Sequence, residues 1–139
     1  MSVMKRDARL HGLTSDHHHA LRLAWDIRHG TPDLAMATHV AGTFDRELAP
    51  HFEAEECLLL VHLGPRGGQA LVERTLADHA ALRALVARAQ DDPSCLGGFA
   101  DRLTSHVRFE EGELFPACER LLTDEELGEV GRQVPKLRA

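Results

Sequence analysis

The sequence predicts an all-α protein, an up-down-up-down four-helix bundle with a short fifth helix at the C-terminus. Helix-capping and turn-forming residues divide the chain into four long segments joined by short connections. No segment alternates apolar and polar residues as a strand does, and β-branched residues are sparse. We expect a single domain over residues 1–139, because a chain of this length buries one core and is too short for two.

The first helix is predicted to start at a cap on Thr14 or Ser15 and to end at Gly30, where a glycine commonly follows a helix. The run 31–33, a threonine, a proline and an aspartate, is typical of a helix start. The second helix should therefore begin there, and it should end at Leu63, before a Gly-Pro pair.

Pro50 lies inside the second helix, where it removes one backbone hydrogen bond, so we expect a kink there. The third helix is predicted over about 68–90 and the fourth over about 96–122. Thr123 followed by Glu126 indicates a capping box that opens a short fifth helix, which should end near Pro135.

Helices two and four carry the same pattern 55 positions apart. The pattern keeps a Phe, a Leu, a His and a Glu on one helical stripe, and its apolar members indicate that this stripe faces the core. The corresponding residues are Phe44, Leu48, His51, Glu55, Glu56 and Leu59 on one helix and Phe99, Leu103, His106, Glu110, Glu111 and Leu114 on the other.

His51, Glu55, His106 and Glu110 thus occupy core positions, where a buried carboxylate beside an imidazole is unfavourable without a cation. The alternative interpretation, two buried His–Glu pairs without a metal, requires that spacing and core register both arise by coincidence. The i, i+4 spacing places the His and the Glu of each pair one turn apart on the same face.

Helices one and three carry a weaker repeat, a His followed three residues later by a Leu. It selects His79 on helix three and His18 from the run of three histidines at 17–19, with His17 as the second choice. Together the six residues suit a pair of first-row metal ions bridged by the two glutamates, with two His on each ion. A donor set without thiolates fits iron or manganese better than structural zinc, which prefers four-coordinate sites rich in cysteine.

At these residues the chain resembles the hemerythrin-like, or HHE cation-binding, family. The order His, HxxxE, His, HxxxE covers nearly the whole domain. The resemblance implies two iron ions with an oxo or hydroxo bridge, in a protein that reacts with or senses O₂, NO or peroxide, as in stress responses and iron-centre repair. An iron-dependent sensor, store or donor without turnover is the alternative. No catalytic residue stands out; if the chain is an enzyme, it is a di-iron oxidoreductase.

The chain departs from the oxygen-carrying members of the family at two positions. Carriers have a fifth His one turn before the third-helix His, and here that position is Thr75. The resemblance therefore disfavours reversible oxygen carriage. Carriers also place the fourth-helix carboxylate five residues after its His, at the position of Glu111, whereas the internal repeat favours Glu110.

Four further expectations concern residues outside the predicted ligand set. Trp25 is predicted to lie in the core, Cys57 to pack, and Glu56 to be solvated, while His62 should lie at the surface.

A net charge of -6 disfavours nucleic acid as a partner, and no apolar run is long enough to cross a membrane. The segment 1–12 lacks the apolar run of a secretory signal, and three cysteines without CxxC spacing favour the cytoplasm. We expect a monomer or a homodimer.

Overall fold

The computed structural model describes residues 5–137 and forms five helices, with no strand in that range. Residues 1–4, part of the segment examined for a signal, and 138–139 lie outside the described residues. Helix α1 is His11–His29, preceded by a 3₁₀ turn at Ala8–Leu10. The other helices are α2 over 34–63, α3 at Gln69–Ala89, α4 over 96–121 and α5 at Asp124–Leu137. None of the described helices is long and apolar enough to cross a bilayer.

Helices α2 and α4 contain wider, π-helical turns between their α-helical segments. In α2 the segments Leu34–Thr43, Ala49–Glu55 and Val61–Leu63 are separated by π turns at Phe44–Leu48 and Glu56–Leu60. In α4 a π turn at Glu110–Leu114 separates Leu96–Phe109 from Phe115–Leu121. Two of the three turns end two residues before a proline, Pro50 or Pro116. A wider turn accommodates a proline because the ring otherwise crowds the carbonyl four residues earlier.

Most helix ends follow the predicted capping pattern with small shifts, but α1 begins at His11, so the cap predicted at Thr14 or Ser15 is wrong and both residues lie inside the helix. Glu126 accepts from the Thr123 backbone N–H at 2.8 Å and donates its own N–H to the Thr123 hydroxyl at 3.1 Å, which confirms the capping box of α5. The α2 cap is Asp33, which accepts from the Met36 N–H at 2.9 Å, and not Thr31. Helix α5 also continues past Pro135.

Gly30 ends α1 for a different reason from the one predicted. Its backbone is extended, with φ of -109°, and not left-handed. A Cβ at this position would lie 2.4 Å from the Met36 Cε and 2.8 Å from the Asp26 carbonyl oxygen. Glycine is therefore required here by the close approach of the α1–α2 connection to the last turn of α1.

The apolar core consists of two clusters at opposite ends of the helices. The first apolar cluster includes Ala20, Leu23, Val40, Phe44, Leu48, Phe52, Leu82, Phe99 and Leu103. The second includes Leu10, Leu13, Leu59, Leu63, Phe109, Leu114, Phe115, Leu127 and Val130. Helices α1 and α3 run from the second cluster to the first, and α2 and α4 run from the first to the second. Each long helix therefore crosses the space between the clusters.

Helix packing closes a ring around that space. Helix α1 contacts α4 and the Phe44–Leu48 turn of α2, and α3 contacts both α2 and α4. Helix α5 packs on α1, on α2 and on the Ala8–Leu10 turn. Its buried residues belong to the second cluster, so α5 covers that end of the four long helices.

Two predicted core or packing residues lie at the surface. Trp25, predicted in the core, is 51% exposed and stacks on His29 with ring centroids 4.1 Å apart. Cys57 is also exposed, so its predicted packing role is wrong. Trp25 follows His18 by two helical turns on the same face of α1, and the inward orientation predicted for both residues is wrong for the same reason.

The contacts of Gly30 predict a destabilising Gly30→Ala substitution. The added methyl must displace a backbone carbonyl, so we expect a loss of about 1–3 kcal/mol in the free energy of unfolding. Gly98→Ala is the matched control, because nothing lies within 4 Å of a Cβ at that exposed position in α4. It should be neutral or stabilise by up to about 1 kcal/mol. Urea denaturation measures the free energy of unfolding of both variants. Equal effects of the two substitutions would contradict the requirement for glycine at position 30.

Candidate metal centre

Six buried His and Glu side chains lie between the two apolar clusters. They form two groups of four, and within each group one ligand atom from every residue lies within 4.8 Å of the others. One group is His17, His51, Glu55 and Glu110, and the other is Glu55, His79, His106 and Glu110. None of the six is more than 5% exposed. Both groups contain the same two glutamates.

The Nε2 atom of each His points at a glutamate oxygen. The Nε2 of His17 lies 2.8 Å from the Glu110 Oε1, and that of His106 lies 3.2 Å from the Glu110 Oε2. The Nε2 of His51 lies 2.9 Å from the Glu55 Oε2, and that of His79 lies 3.0 Å from the Glu55 Oε1. Each glutamate thus contacts one His of each group, as a bridging carboxylate would.

The Nδ1 atom of each His contacts a second carboxylate, which comes from the preceding helix in cyclic order. These four residues, the outer carboxylates, are Asp16 on His51 at 2.8 Å, Glu56 on His79 at 2.6 Å, Asp78 on His106 at 2.9 Å and Glu111 on His17 at 2.6 Å. An Nδ1–H that donates to a carboxylate leaves the Nε2 lone pair free for a metal and sets the orientation of the ring.

Three atoms at the centre make no hydrogen bond to any described residue: the Glu55 Oε2, the Glu110 Oε2 and the His106 Nε2. The Nε2 of His106 and the Oε2 of Glu110 lie 3.2 Å apart, yet the angles do not fit a hydrogen bond. Two lone pairs at this distance repel unless a proton or a metal cation lies between them, and each buried unsatisfied group costs about 1–3 kcal/mol. The donor set therefore fits a pair of metal cations.

The match to known families agrees with this geometry. A model of the hemerythrin HHE cation-binding domain matches residues 9–118, which is more than half of the chain and includes both groups. The chain belongs to the hemerythrin HHE cation-binding family. A search of curated proteins and a search of solved structures gave no significant match.

His17, and not His18, completes the first group in this HHE domain. His17 is buried, whereas His18 is exposed and lines a surface groove, so the predicted inward orientation of His18 is corrected. The sequence does contain a pattern that favours His17 over His18. Asp16-His17 and Asp78-His79 are the same dipeptide 62 positions apart, and each aspartate supplies an outer carboxylate. The Leu that was used to align the repeat favoured an offset of 61.

The outer carboxylates correct two further expectations. Glu56, expected to be solvated, contacts the His79 Nδ1 and also pairs with Arg83 at 3.3 Å. Glu111, the reserve choice for the bridging position, contacts His17 and belongs to neither group, whereas Glu110 belongs to both. Asp16 and Asp78 were not singled out from the sequence.

Electrostatics inside the metal-free centre favour protonated imidazoles and ionised carboxylates. Burial lowers the pKa of His106, but the charge of Glu110 and the hydrogen bond to Asp78 outweigh it and raise that pKa to about 10. Burial also opposes charge on His51, yet Glu55 and Asp16 raise its pKa well above 6.5. Burial raises the pKa of Glu110, whereas His106 and the hydrogen bonds to that carboxylate hold it well below 4.5. Protons thus supply the positive charge that metal cations would bring.

These shifts predict how the stability of the metal-free protein depends on pH. His106 has a higher pKa in the folded state, about 10, than its usual 6.5, so its stabilising charge is fully present below pH 6.5 and is lost as pH rises to 10. The free energy of unfolding of the chelator-treated protein should fall in that window by a few kcal/mol at most. Urea denaturation at several pH values measures it. His106→Gln should flatten the profile and His18→Gln should not; a flat profile in the unsubstituted protein would contradict the assignment.

Proposed function

We propose that this chain binds two iron ions, with an oxo or hydroxo bridge, inside an up-down-up-down four-helix bundle. Glu55 and Glu110 bridge the two ions. One ion is held by His17 and His51 and the other by His79 and His106. The single observation that carries this proposal is that two groups of four buried ligands share both glutamates.

The up-down topology is supported by the order in which the helices cross the core. Helix α1 passes from Leu13 in the second apolar cluster to Leu23 in the first, and α2 returns from Phe44 in the first to Leu59 in the second. Helices α3 and α4 repeat the alternation. Each long helix then contributes one His to the centre at its crossing point.

Iron is the metal that this donor set and the family best support. All six donors are nitrogen or oxygen, and no cysteine belongs to either group. Structural zinc sites usually have thiolate ligands and four-coordinate geometry. Imidazole and carboxylate together suit iron or manganese, and iron supplies one-electron chemistry towards O₂, NO or peroxide when it is bound.

The structure leaves space for a small molecule beside the six His and Glu side chains. An enclosed cavity, here called the inner chamber, is lined by His17, His51, His106 and Glu110 on one side. Apolar side chains of the first cluster, including Leu48, Phe52 and Leu103, line the other side. The inner chamber holds about one water molecule. These walls exclude bulk water and limit the chamber to ligands of very few heavy atoms.

We infer reaction with, or sensing of, such a ligand in preference to reversible oxygen carriage. Thr75 stands where carriers have a fifth His, and it is buried with its hydroxyl donating to the Leu71 carbonyl at 2.7 Å. Each ion therefore receives two His, and both have positions open for chemistry. Three unpaired cysteines support a reducing compartment, which we propose is the cytoplasm.

Metal content of two neighbouring variants tests the ligand set. His18→Ala should retain two irons per chain, because His18 lies outside both groups. His17→Ala should retain at most one iron, because it removes one of the four protein ligands of one ion, takes one imidazole contact from Glu110 and leaves Glu111 without its imidazole partner. Inductively coupled plasma mass spectrometry with an absorption spectrum measures both. Loss of iron in His18→Ala with retention in His17→Ala would reverse the assignment.

Rapid mixing of the reduced protein with O₂, NO and peroxide tests the reactivity. We expect at least one of the three to change the absorption spectrum of the iron-loaded protein, and the same mixing should leave the metal-free protein unchanged. If none does, the proposed reactivity is wrong and the role of sensor, store or donor takes its place. Helicity that follows iron occupancy would then support that second role.

A further inference from the structure

Three cavities lie between the protein surface and the central His and Glu side chains, where α1 faces α2, and neighbouring cavities share lining residues. The inner chamber adjoins a second enclosed cavity, the outer chamber, and both are lined by Asp16, Ala20 and Leu48. The outer chamber adjoins a surface groove of about 450 Å³, the histidine groove, lined on α1 by His18 and His19 and on α2 by His39. The cavities share walls and follow one another inward.

The outer chamber and the histidine groove also share lining residues. His19, Leu23, Thr43 and Glu47 line both cavities. The Nδ1 of His19 lies 3.1 Å from the Glu47 Oε1, so this pair spans from α1 to α2 at the boundary between the outer chamber and open solvent. Their side chains are 62% and 42% exposed. Exposed ion pairs contribute little to stability, and such side chains change rotamer within nanoseconds.

We propose that this line of cavities is the route by which a small ligand reaches the centre, and that the His19–Glu47 pair is its gate. The inference rests on the proposed function, because it concerns access to the same centre. The route selects by size. The outer chamber, like the inner one, holds about one water molecule, and Ala20 contributes only a methyl group to the wall that they share. Ligands of two or three heavy atoms are closest to this size, and larger oxidants or chelators do not fit.

The residues that line the route explain how it can admit a small ligand and still exclude most water from the centre. Leu23 and Leu48 come from the first apolar cluster, so the inner part of the route is apolar on those sides. At the mouth, the histidine groove brings Arg22, Arg46 and three histidines together. A small ligand therefore leaves a hydrated, charged groove and enters a narrow path that admits few waters.

Cysteine oxidation in the metal-free protein tests the route without any metal chemistry. Ala20 and Ala24 lie one turn apart on α1 and are 2% and 0% exposed, but only Ala20 lines the chambers. Hydrogen peroxide has two heavy atoms. It should oxidise the thiol of Ala20→Cys to a sulfenic acid, with water as the other product, about tenfold faster than that of Ala24→Cys, since buried side chains off the route react only after local unfolding. Mass spectrometry of peptides separates these sites from the three native cysteines. Equal rates would overturn the route.

The gate is tested in the same assay. Glu47→Ala in the Ala20→Cys background should raise the oxidation rate several-fold, because it removes the partner of His19. Glu53→Ala, an exposed glutamate elsewhere on α2 that lines none of the three cavities, is the matched control and should leave the rate unchanged. An unchanged rate in Glu47→Ala would remove the gate from the proposal. Circular dichroism confirms that each variant is folded.

Azide binding to the iron-loaded protein supplies a second readout. Thr43 lines the outer chamber and the groove but not the inner chamber, so Thr43→Leu narrows the route away from the ligands. It should slow azide association and dissociation by the same factor and leave Kd unchanged. Thr38→Leu, exposed on α2 and outside the three cavities, should change neither rate. A changed Kd with unchanged association would contradict the route. If the protein binds no azide at all, the proposed function fails while the oxidation result stands.

Discussion

Two carboxylates buried between apolar clusters are the constraint on which the rest of the structure depends. Glu55 and Glu110 are fully buried, and each retains an oxygen without a hydrogen bond to any described residue. An isolated buried carboxylate is strongly unfavourable, so cations must compensate for both. In the metal-free protein, the raised pKa values of His17, His51 and His106 favour protons that provide this compensation. In the proposed di-iron form, the metal ions would provide it.

The outer carboxylates connect this centre to the helix packing. Each binds the His of the next helix, so the four long helices are linked in a closed cycle of His–carboxylate pairs. Arginines hold three of the outer carboxylates: Arg6 lies 3.4 Å from Glu111, Arg83 lies 3.3 Å from Glu56, and Arg74 lies 3.3 Å from Asp78. Because the carboxylate of one helix contacts the His of the next, a movement of one helix also moves the His of its neighbour. This coupling makes metal occupancy and helix packing parts of one equilibrium.

The sequence predicted the helical class and five of the six residues that the structure brings together at the centre. The 55-residue repeat was informative because ligands at i and i+4 fall on the same stripe as core Phe and Leu residues. The choice among His17, His18 and His19 could not be made from apolar neighbours, since a shift of one residue rotates a side chain by about 100°. The repeated Asp-His dipeptide carried that information, but only once the aspartate was understood as a partner of the neighbouring helix's His.

The π turns and the outer carboxylates were harder to predict. The π turn at Glu110–Leu114 begins at one of the two central glutamates, and the one at Glu56–Leu60 directly follows the other, Glu55. Where these turns would fall depends on packing across helices, so local propensity does not reveal it. Glu56 and Glu111 follow the central glutamates directly in sequence and look like solvated charge until the helices are assembled. Contacts between helices decide their role.

The most direct test is a crystal structure of the protein prepared with iron, with anomalous diffraction data collected on both sides of the iron absorption edge. The account predicts two anomalous peaks per chain. One should lie among His17, His51, Glu55 and Glu110, and the other among Glu55, His79, His106 and Glu110. A single peak, a peak at His18, or a centre without iron would contradict it.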